Sequence, residues 1–339
     1  MSTRIWINRA RTYKAHLIAA LRGNPDGRPV SIYATHPLDG PAMSRADVAL
    51  REPDRDVSDE EYIDWALNFV QKHGIEILFP SDRFAALATH QREFENLGVT
   101  LLSQPSPTGA AIADSKTATY DAARRAGLSV PEHYQVTSAS GLAEAFTSLH
   151  EAGHEVCIKP DTGWAADGFR ILTAYRPGFD DLFVTPRREM FIGDYLGALV
   201  QAEEGGRKIE PLIVAPVMHN ETSVDLLRAP DGQIIVSVAR AKGKYNRTFD
   251  DNPVIHHIAR TMAGALEIAY LSNIQTRELN GVPTLLEVNP RGSDGLTHCL
   301  NAGVNIAWAA VRLALGERVA PMRPDTSKSL YVIDTVIEK

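Results

Sequence analysis

The feature that most restricts this chain is the regular alternation of short apolar runs with helical periods over its first hundred residues. Strand-like runs at 4–7, 30–33, 75–79 and 99–102 alternate with helical patterns at 13–22, 58–73 and 82–97. Strands alternating with helices point to parallel pairing, because a parallel crossover needs a dozen or more residues and a helix supplies them. The expected unit is an α/β layer structure. Its strand ends run into Asn8, Arg9 and Arg11, into His36, and into Pro80-Ser81-Asp82. Ligands of open parallel sheets collect at the carboxyl ends of strands, so these loops are where a substrate is expected.

The Pro- and Gly-rich stretch Gln104-Pro105-Ser106-Pro107-Thr108-Gly109 breaks this pattern and marks a boundary. A helix follows from Asp114-Ser115-Lys116 to Gly127, which suits a left-handed helix end, and Pro131 forbids continuation. A strand at 133–136, a helix at 139–152 and a strand at 156–159 come next. From residue 160 onward helices thin out and strands dominate, at 212–217, 221–227, 234–239, 271–278 and 284–288. Turns at Pro230-Asp231-Gly232 and Asn280-Gly281 close hairpins. This second half reads as α+β.

Bulk properties exclude several functions. The chain has 339 residues, 44% of them hydrophobic and 23% charged, so it can bury two or three cores and is neither disordered nor fibrous. A net charge of −7 with scattered Lys and Arg leaves no basic stripe to track nucleic acid. No apolar run reaches the 18 residues of a membrane span. The N-terminus leads straight into a strand and lacks the apolar core of a secretion signal. Cys157 and Cys299 lie far apart without metal or redox spacing, so both read as buried thiols in a reducing cytoplasm.

Two segments carry chemistry. In Lys159-Pro160-Asp161-Thr162-Gly163-Trp164-Ala165-Ala166-Asp167-Gly168, a lysine ends a strand and a loop with glycines at both ends follows. Such a loop can aim backbone N–H groups at phosphate oxygens beside the lysine charge. It is not a P-loop, and by itself it describes a hairpin with turn glycines more readily than a phosphate loop. In Leu285-Leu286-Glu287-Val288-Asn289-Pro290-Arg291, strand alternation sends Glu287 and Asn289 to one face. Magnesium takes oxygen at about 2.1 Å and is usually held by one or two carboxylates plus phosphates, which this pair suits. Gln275 on the neighbouring strand is a candidate third oxygen donor, and Pro290 ends the strand so that Arg291 enters a loop. The hairpin alone equally describes an exposed polar sheet face.

Taken in order, the motifs resemble the ATP-grasp superfamily, in the branch similar to carbamoyl-phosphate synthetase. Asp114-Ser115-Lys116-Thr117 with its helix and Gly127-Leu128-Ser129-Val130-Pro131 resembles the approach to the nucleotide lobe. Val156-Cys157-Ile158-Lys159-Pro160 with its glycine loop resembles the phosphate-contacting strand and lid. Glu221-Thr222-Ser223-Val224-Asp225 resembles the strand after the adenine hinge, and Ser272-Asn273-Ile274-Gln275 with Leu286 to Arg291 resembles the metal-binding hairpin. The strings Gly168-Phe169-Arg170-Ile171-Leu172 and Glu221 to Asp225 are similar to ligases found in biosynthetic clusters beside tellurite-resistance genes.

The resemblance implies a pre-ATP-grasp α/β domain at 1–104, a nucleotide lobe with its lid at 105–185, a metal-bearing lobe at 186–325 and a tail at 326–339. It implies ATP and Mg²⁺, with Mn²⁺ as a substitute. Nucleotide contacts would come from Lys116, Lys159, Gly163, Gly168, the hinge at Ala215 and Val217, and Glu221 near the ribose. Gln275, Glu287 and Asn289 would hold metal, and Arg291 and Lys159 would neutralise the transferring phosphoryl group. Arg240 and Lys242, after a strand bordering the same cleft, are candidates for the substrate carboxylate. His219 and His298 read as structural. The hinge departs from the family pattern, because Ala215 and Pro216 stand where many members carry an acidic residue. The lid has Trp164, Ala165 and Ala166 where glycines are common.

The activity this implies is ligation of a small-molecule carboxylate to an amine through an acyl phosphate, with no membrane or nucleic-acid partner. A homodimer is the assembly general for such enzymes. The competing readings are kinase-like phosphoryl transfer and a nucleotide-binding module without turnover.

Overall fold

A computed structural model of the chain describes residues 2–163, 166–176, 178–183 and 188–333. It divides into two compact units. One comprises Met1–Ala113, Asn220–Thr276 and Leu286–Lys339, the other Asp114–His219 and Arg277–Leu285.

In the first unit the N-terminal strands β1 (Thr3–Ile7), β2 (Val30–Thr35), β3 (Val48–Leu50), β4 (Ile77–Phe79) and β5 (Thr100–Leu101) form a sheet of order β3-β2-β1-β4-β5. Every pairing is parallel. Strand β1 runs through its centre, and Ile5, Trp6 and Ile7 are all fully buried, as expected where helices cover both faces. Alternation divides them. Ile5 and Ile7 join Leu17, Ile18 and Leu21 of helix Lys14–Arg22, whereas Trp6 joins Tyr62, Ile63 and Phe69 of helix Asp59–His73. The latter helix starts with a capping box between Ser58 and Glu61 and stops at Gly74, whose φ is 58°.

The same unit carries a second, seven-stranded sheet. Its path runs Val282–Asn289, Ala269–Leu279, His219–Arg228, Ile234–Lys242, Asn246–Asp250 and Ser329–Tyr331, and Ser103–Gln104 pairs with Ala269–Leu279 off that path. Leu227, Val236, Val238 and Leu271 of this sheet share a core with Leu17, Leu21 and Trp308. The N-terminal layer and the second sheet are thus one packed body, and loops of both can meet.

The second unit has a five-stranded sheet of order Glu189–Phe191, Arg170–Thr173, Val156–Pro160, Leu212–Pro216, Tyr134–Val136. Only the pair Glu189–Phe191 with Arg170–Thr173 is parallel. Helix Ala139–Glu151 packs Leu142, Phe146 and Leu149 on this sheet, with Leu196 and Leu199 of helix Ile192–Glu204 at the margin of the same core.

Three expectations need correction. Residues 82–97 form two helices, Phe84–Thr89 and Gln91–Asn96. His90 between them leaves helical geometry, and its Nδ1 lies 2.7 Å from Glu93 Oε1, so a new helix start competes with continuation. A short helix Pro41–Arg45 and strand β3, missed in the sequence, follow β2. Helices also do not thin out after residue 160, since Ile192–Glu204, Pro253–Ala265 and Ile306–Ala314 are all helical. Pro253–Ala265 carries its own signals, an Asn252 cap, Pro253 in the first turn and Ile255, Ile258, Ala259 and Met262 on one buried stripe. Both cysteines are free and buried. Among the described residues no helix is long and apolar enough to cross a membrane.

Candidate active site

The candidate metal donors Gln275, Glu287 and Asn289 lie in the first unit, on the paired strands Ala269–Leu279 and Val282–Asn289. The turn residues Asn280 and Gly281 both take positive φ, 52° and 79°, the left-handed pair that matches strand twist in a two-residue hairpin. Glu287 and Asn289 do share a face, and Asn289 Nδ2 donates to Glu287 Oε1 at 3.0 Å. On the adjacent strand Gln275 Nε2 lies 3.4 Å from Asn273 Oδ1. Beyond the strand end, the Ser103 hydroxyl donates to the Pro290 carbonyl at 2.5 Å. The Arg291 guanidinium lies 5.9 Å from the centre of the Phe84 ring.

The donor set can be tested against magnesium by its chemistry. Glu287 offers carboxylate oxygens, and Gln275 and Asn289 offer amide oxygens. All are hard donors, and a single carboxylate leaves coordination positions for phosphates. No group of three or more His, Cys, Asp and Glu residues that could hold a metal occurs among the described residues. Hard oxygen donors with a single carboxylate suit magnesium shared with a nucleotide.

Beneath the hairpin lies a buried polar network that sequence reasoning did not assign. Asp225, fully buried, accepts from Arg240 Nε at 3.0 Å and Nη2 at 2.5 Å. Asn273, 1% exposed, donates Nδ2 to Ser223 Oγ, Val224 O and Asp225 Oδ1 at 2.8, 3.2 and 3.0 Å. Burial works against the Arg240 charge, and the Asp225 carboxylate more than offsets it, so the guanidinium is held above its usual range. Arg240 also reaches Ser293 Oγ at 3.1 Å and lies against Gly295, where a Cβ would come within 2.6 Å of Nη1. Lys242, two residues on, is half-exposed and sits 3.5 Å from Glu221. The two residues expected to share a substrate carboxylate are therefore differently engaged, one buried on Asp225 and the other paired with the expected ribose ligand. His298, half-buried near Arg240 and Arg247, is pushed below the usual histidine range by burial first and by those cations next.

In the second unit Asp161 organises the expected phosphate region. Its Oδ1 accepts from Thr117 N at 2.8 Å and Thr117 Oγ1 at 2.7 Å, and its Oδ2 accepts from Ser115 Oγ at 2.6 Å. Burial would raise its carboxyl pKa, but these hydrogen bonds outweigh burial and hold it below the usual range. Ser115 meanwhile caps helix Lys116–Arg125 by accepting from Ala118 N at 3.1 Å. Lys116 Nζ donates to the carbonyls of Asp161 and Gly163 at 3.1 and 3.0 Å. Lys159 lies opposite Ile213 in the sheet. Gly168 has φ 71°, and a Cβ there would meet Pro160 Cδ at 2.8 Å, while Gly163 at φ 99° has open space. Trp164 and Ala165 of the expected lid lie outside the described residues.

The hinge is occupied by protein contacts. Ala215 is buried opposite Cys157, the Val217 amide donates to the Glu155 carbonyl at 2.8 Å, and the Met218 carbonyl accepts from Arg277 at 3.1 Å. Asp161, Asp225 and Asn273 stand inside the motifs already noted. Their buried hydrogen-bonding positions are what identify them, and a linear motif does not show burial.

A parallel layer sharing a body with a sheet of antiparallel pairs, and a separate sheet-and-helix lobe carrying a glycine loop, make up the ATP-grasp fold. The chain has the ATP-grasp fold. Residues 208–336 match the family model described as ATP-grasp in the biosynthetic pathway with Ter operon. The fold is similar to that of N5-carboxyaminoimidazole synthetase from Staphylococcus aureus, with TM-score 0.67 and 10% identity over 95% of this chain and 80% of that one. It is similar to a biotin carboxylase from Campylobacter jejuni, with TM-score 0.65 and 16% identity over 96% and 73%. An L-amino acid ligase from Bacillus licheniformis gives 0.62 and 13% over 95% and 78%. No curated protein matches the chain by sequence.

Proposed function

We propose that the chain is an ATP-dependent ligase that activates a small-molecule carboxylate as an acyl phosphate and joins it to an amine. The observation that carries this reading is the oxygen-donor face of Glu287 and Asn289, with Gln275 on the adjacent strand and Arg291 two residues beyond, set on an ATP-grasp fold. A carboxylate oxygen attacks the γ-phosphorus, and the bond to the leaving ADP oxygen breaks. The amine lone pair then attacks the acyl carbon, phosphate leaves with the carbon–oxygen bonding pair, and the nitrogen loses its proton. Magnesium, when bound, supplies positive charge against the phosphate oxygens.

The roles of this chain's own residues are positioning and charge. Glu287, Asn289 and Gln275 hold the metal. Lys116 and Lys159 face nucleotide phosphates, and Arg291 neutralises the transferring group. Gly163 and Gly168 shape the loop over the phosphates, Ala215 and Val217 border adenine, and Glu221 borders ribose. Lys242 remains a candidate for the carboxylate, whereas Arg240, committed to Asp225, acts by positioning Ser293 and Gly295. The same reading takes a homodimer in the cytoplasm, where two buried thiols stay reduced.

The test is release of ADP and phosphate from purified protein with MgATP and panels of carboxylic acids and amines. Turnover that requires both an acid and an amine is the expected result. A stable phosphorylated acid formed without amine would establish phosphoryl transfer instead, and nucleotide binding without turnover would reduce the chain to a binding module.

A further inference from the structure

The loops at the carboxyl ends of β1 and β4 are braced from below. Asn8 donates Nδ2 to the Tyr62 hydroxyl at 2.8 Å and accepts from Ser81 N at 2.6 Å. Arg9, in the left-handed region at φ 44°, donates its amide to Glu52 at 2.8 Å, and Tyr62 donates to the same carboxylate at 2.6 Å. Burial pushes Glu52 above the usual carboxylate range, against hydrogen bonds from Tyr62 and Arg9. A strained residue held by a buried carboxylate is a device for fixing a loop.

What these loops hold up is positive charge, in a chain whose net charge is −7. Arg11 and Arg55 each place Nη2 3.7 Å from Asp82 Oδ2, and Lys14 Nζ lies 3.1 Å from Asp294 Oδ1. Arg291 is within electrostatic range of Lys14, Arg11 and Asp294. Arg11, Arg55 and Lys14 thus gather on Asp82 and Asp294, with Arg291 close enough to act on the same groups. The Lys14 side chain is only 7% exposed, and burial leads the effects that lower its pKa, with Asp294 opposing. A crevice beside it is lined by Lys14, Ser81, Ser293 and Asp294 above the apolar Leu17 and Phe79. The Ser81 hydroxyl there is buried with no hydrogen-bond partner among the described residues.

We infer that this cluster binds an anionic group that the substrate carries in addition to the carboxylate it activates. The substrate class is therefore a dianionic acid, a dicarboxylate or a phosphorylated carboxylate. This rests on the ligase reading. Arg291, two residues after Asn289, is the one member of the cluster adjacent in sequence to the metal donors. Arg11, Lys14 and Arg55 come from the N-terminal layer, and a single reacting carboxylate beside magnesium does not require three further cations. The clustered guanidinium groups, the buried ammonium and the unused hydroxyl together form an anion receptor.

The experiment is titration calorimetry on the full chain with MgADP present, using succinate, butyrate and inorganic phosphate as probes. Succinate and butyrate have the same carbon count and differ by one charge. Succinate or phosphate binding about tenfold or more tighter than butyrate is expected, and the tighter of the two identifies the second group as carboxylate or phosphate. R11Q and R55Q each weaken that binding by about three- to tenfold, and D82N tightens it by about two- to fivefold, with MgADP affinity unchanged. Equal binding of succinate, phosphate and butyrate, or indifference to R11Q and R55Q, overturns the inference while MgADP binding stands. Failure to bind MgADP is a separate result that overturns the ligase reading itself.

Discussion

Arg240 and Asp225 form a buried bidentate-donor ion pair, with both Arg240 nitrogens on one carboxylate oxygen at 3.0 and 2.5 Å. Removing one partner strands the other charge away from water. Arg240→Met is expected to lower stability by about 3–5 kcal/mol, measured by chemical denaturation. An unchanged denaturation midpoint would return Arg240 to the status of a free substrate ligand.

Asp161 links Ser115 and Thr117, and its carboxyl titrates below the usual range because the hydrogen bonds from Ser115 and Thr117 outweigh burial. A carboxyl depressed in the folded state contributes stability above its unfolded pKa and loses it as pH falls through the folded value. The contribution is thus complete at neutral pH and declines as the pH falls through the ordinary carboxylate range toward the depressed folded value. Asp161→Asn should lower the melting temperature at pH 7 and lower it less at pH 3. Equal losses at both pH values would show that charge plays no part.

Gly168 and Gly163 differ in a way that separates strain from collision. Both have positive φ, but only Gly168 faces Pro160. Gly163→Ala should cost about 1 kcal/mol, the backbone penalty alone. Gly168→Ala should cost more than twice that and raise the KM for ATP, since the loop must shift. Matching KM values for the two variants would remove the loop from nucleotide binding.

Glu287 is the only carboxylate of the proposed metal set, so its loss cannot be compensated by the amides of Gln275 and Asn289. Glu287→Ala is expected to abolish metal-dependent nucleotide binding and to reduce kcat at least about 100-fold. Chelation should do the same to the unaltered protein, with Mg²⁺ or Mn²⁺ restoring activity. Metal-independent binding of ATP at full affinity would contradict the assignment.

The N-terminal layer was legible because its signals are local. The apolar runs of β1, β2 and β4 and the capping box at Ser58 act over a few residues, and the structure places those elements close to the expected spans. Helix Pro253–Ala265 carries equally local signals in its cap and stripe, set between strong strand signals. The break at His90 was harder, because one ring contact to Glu93 decides between a continued and a restarted helix.

The parallel layer, the placement of Glu287 and Asn289 on one face and the glycine turns were readable from local pattern, since alternation, crossover length and positive φ are properties of neighbouring residues. Only the tertiary structure decided what those side chains touch. Asp225 meets Arg240 across 15 positions, Asp161 meets Ser115 across 46, and Lys14 meets Asp294 from opposite ends of the chain. Burial and ion pairing arise when distant segments are packed together, and they place Arg240 on Asp225 and Lys14 on Asp294.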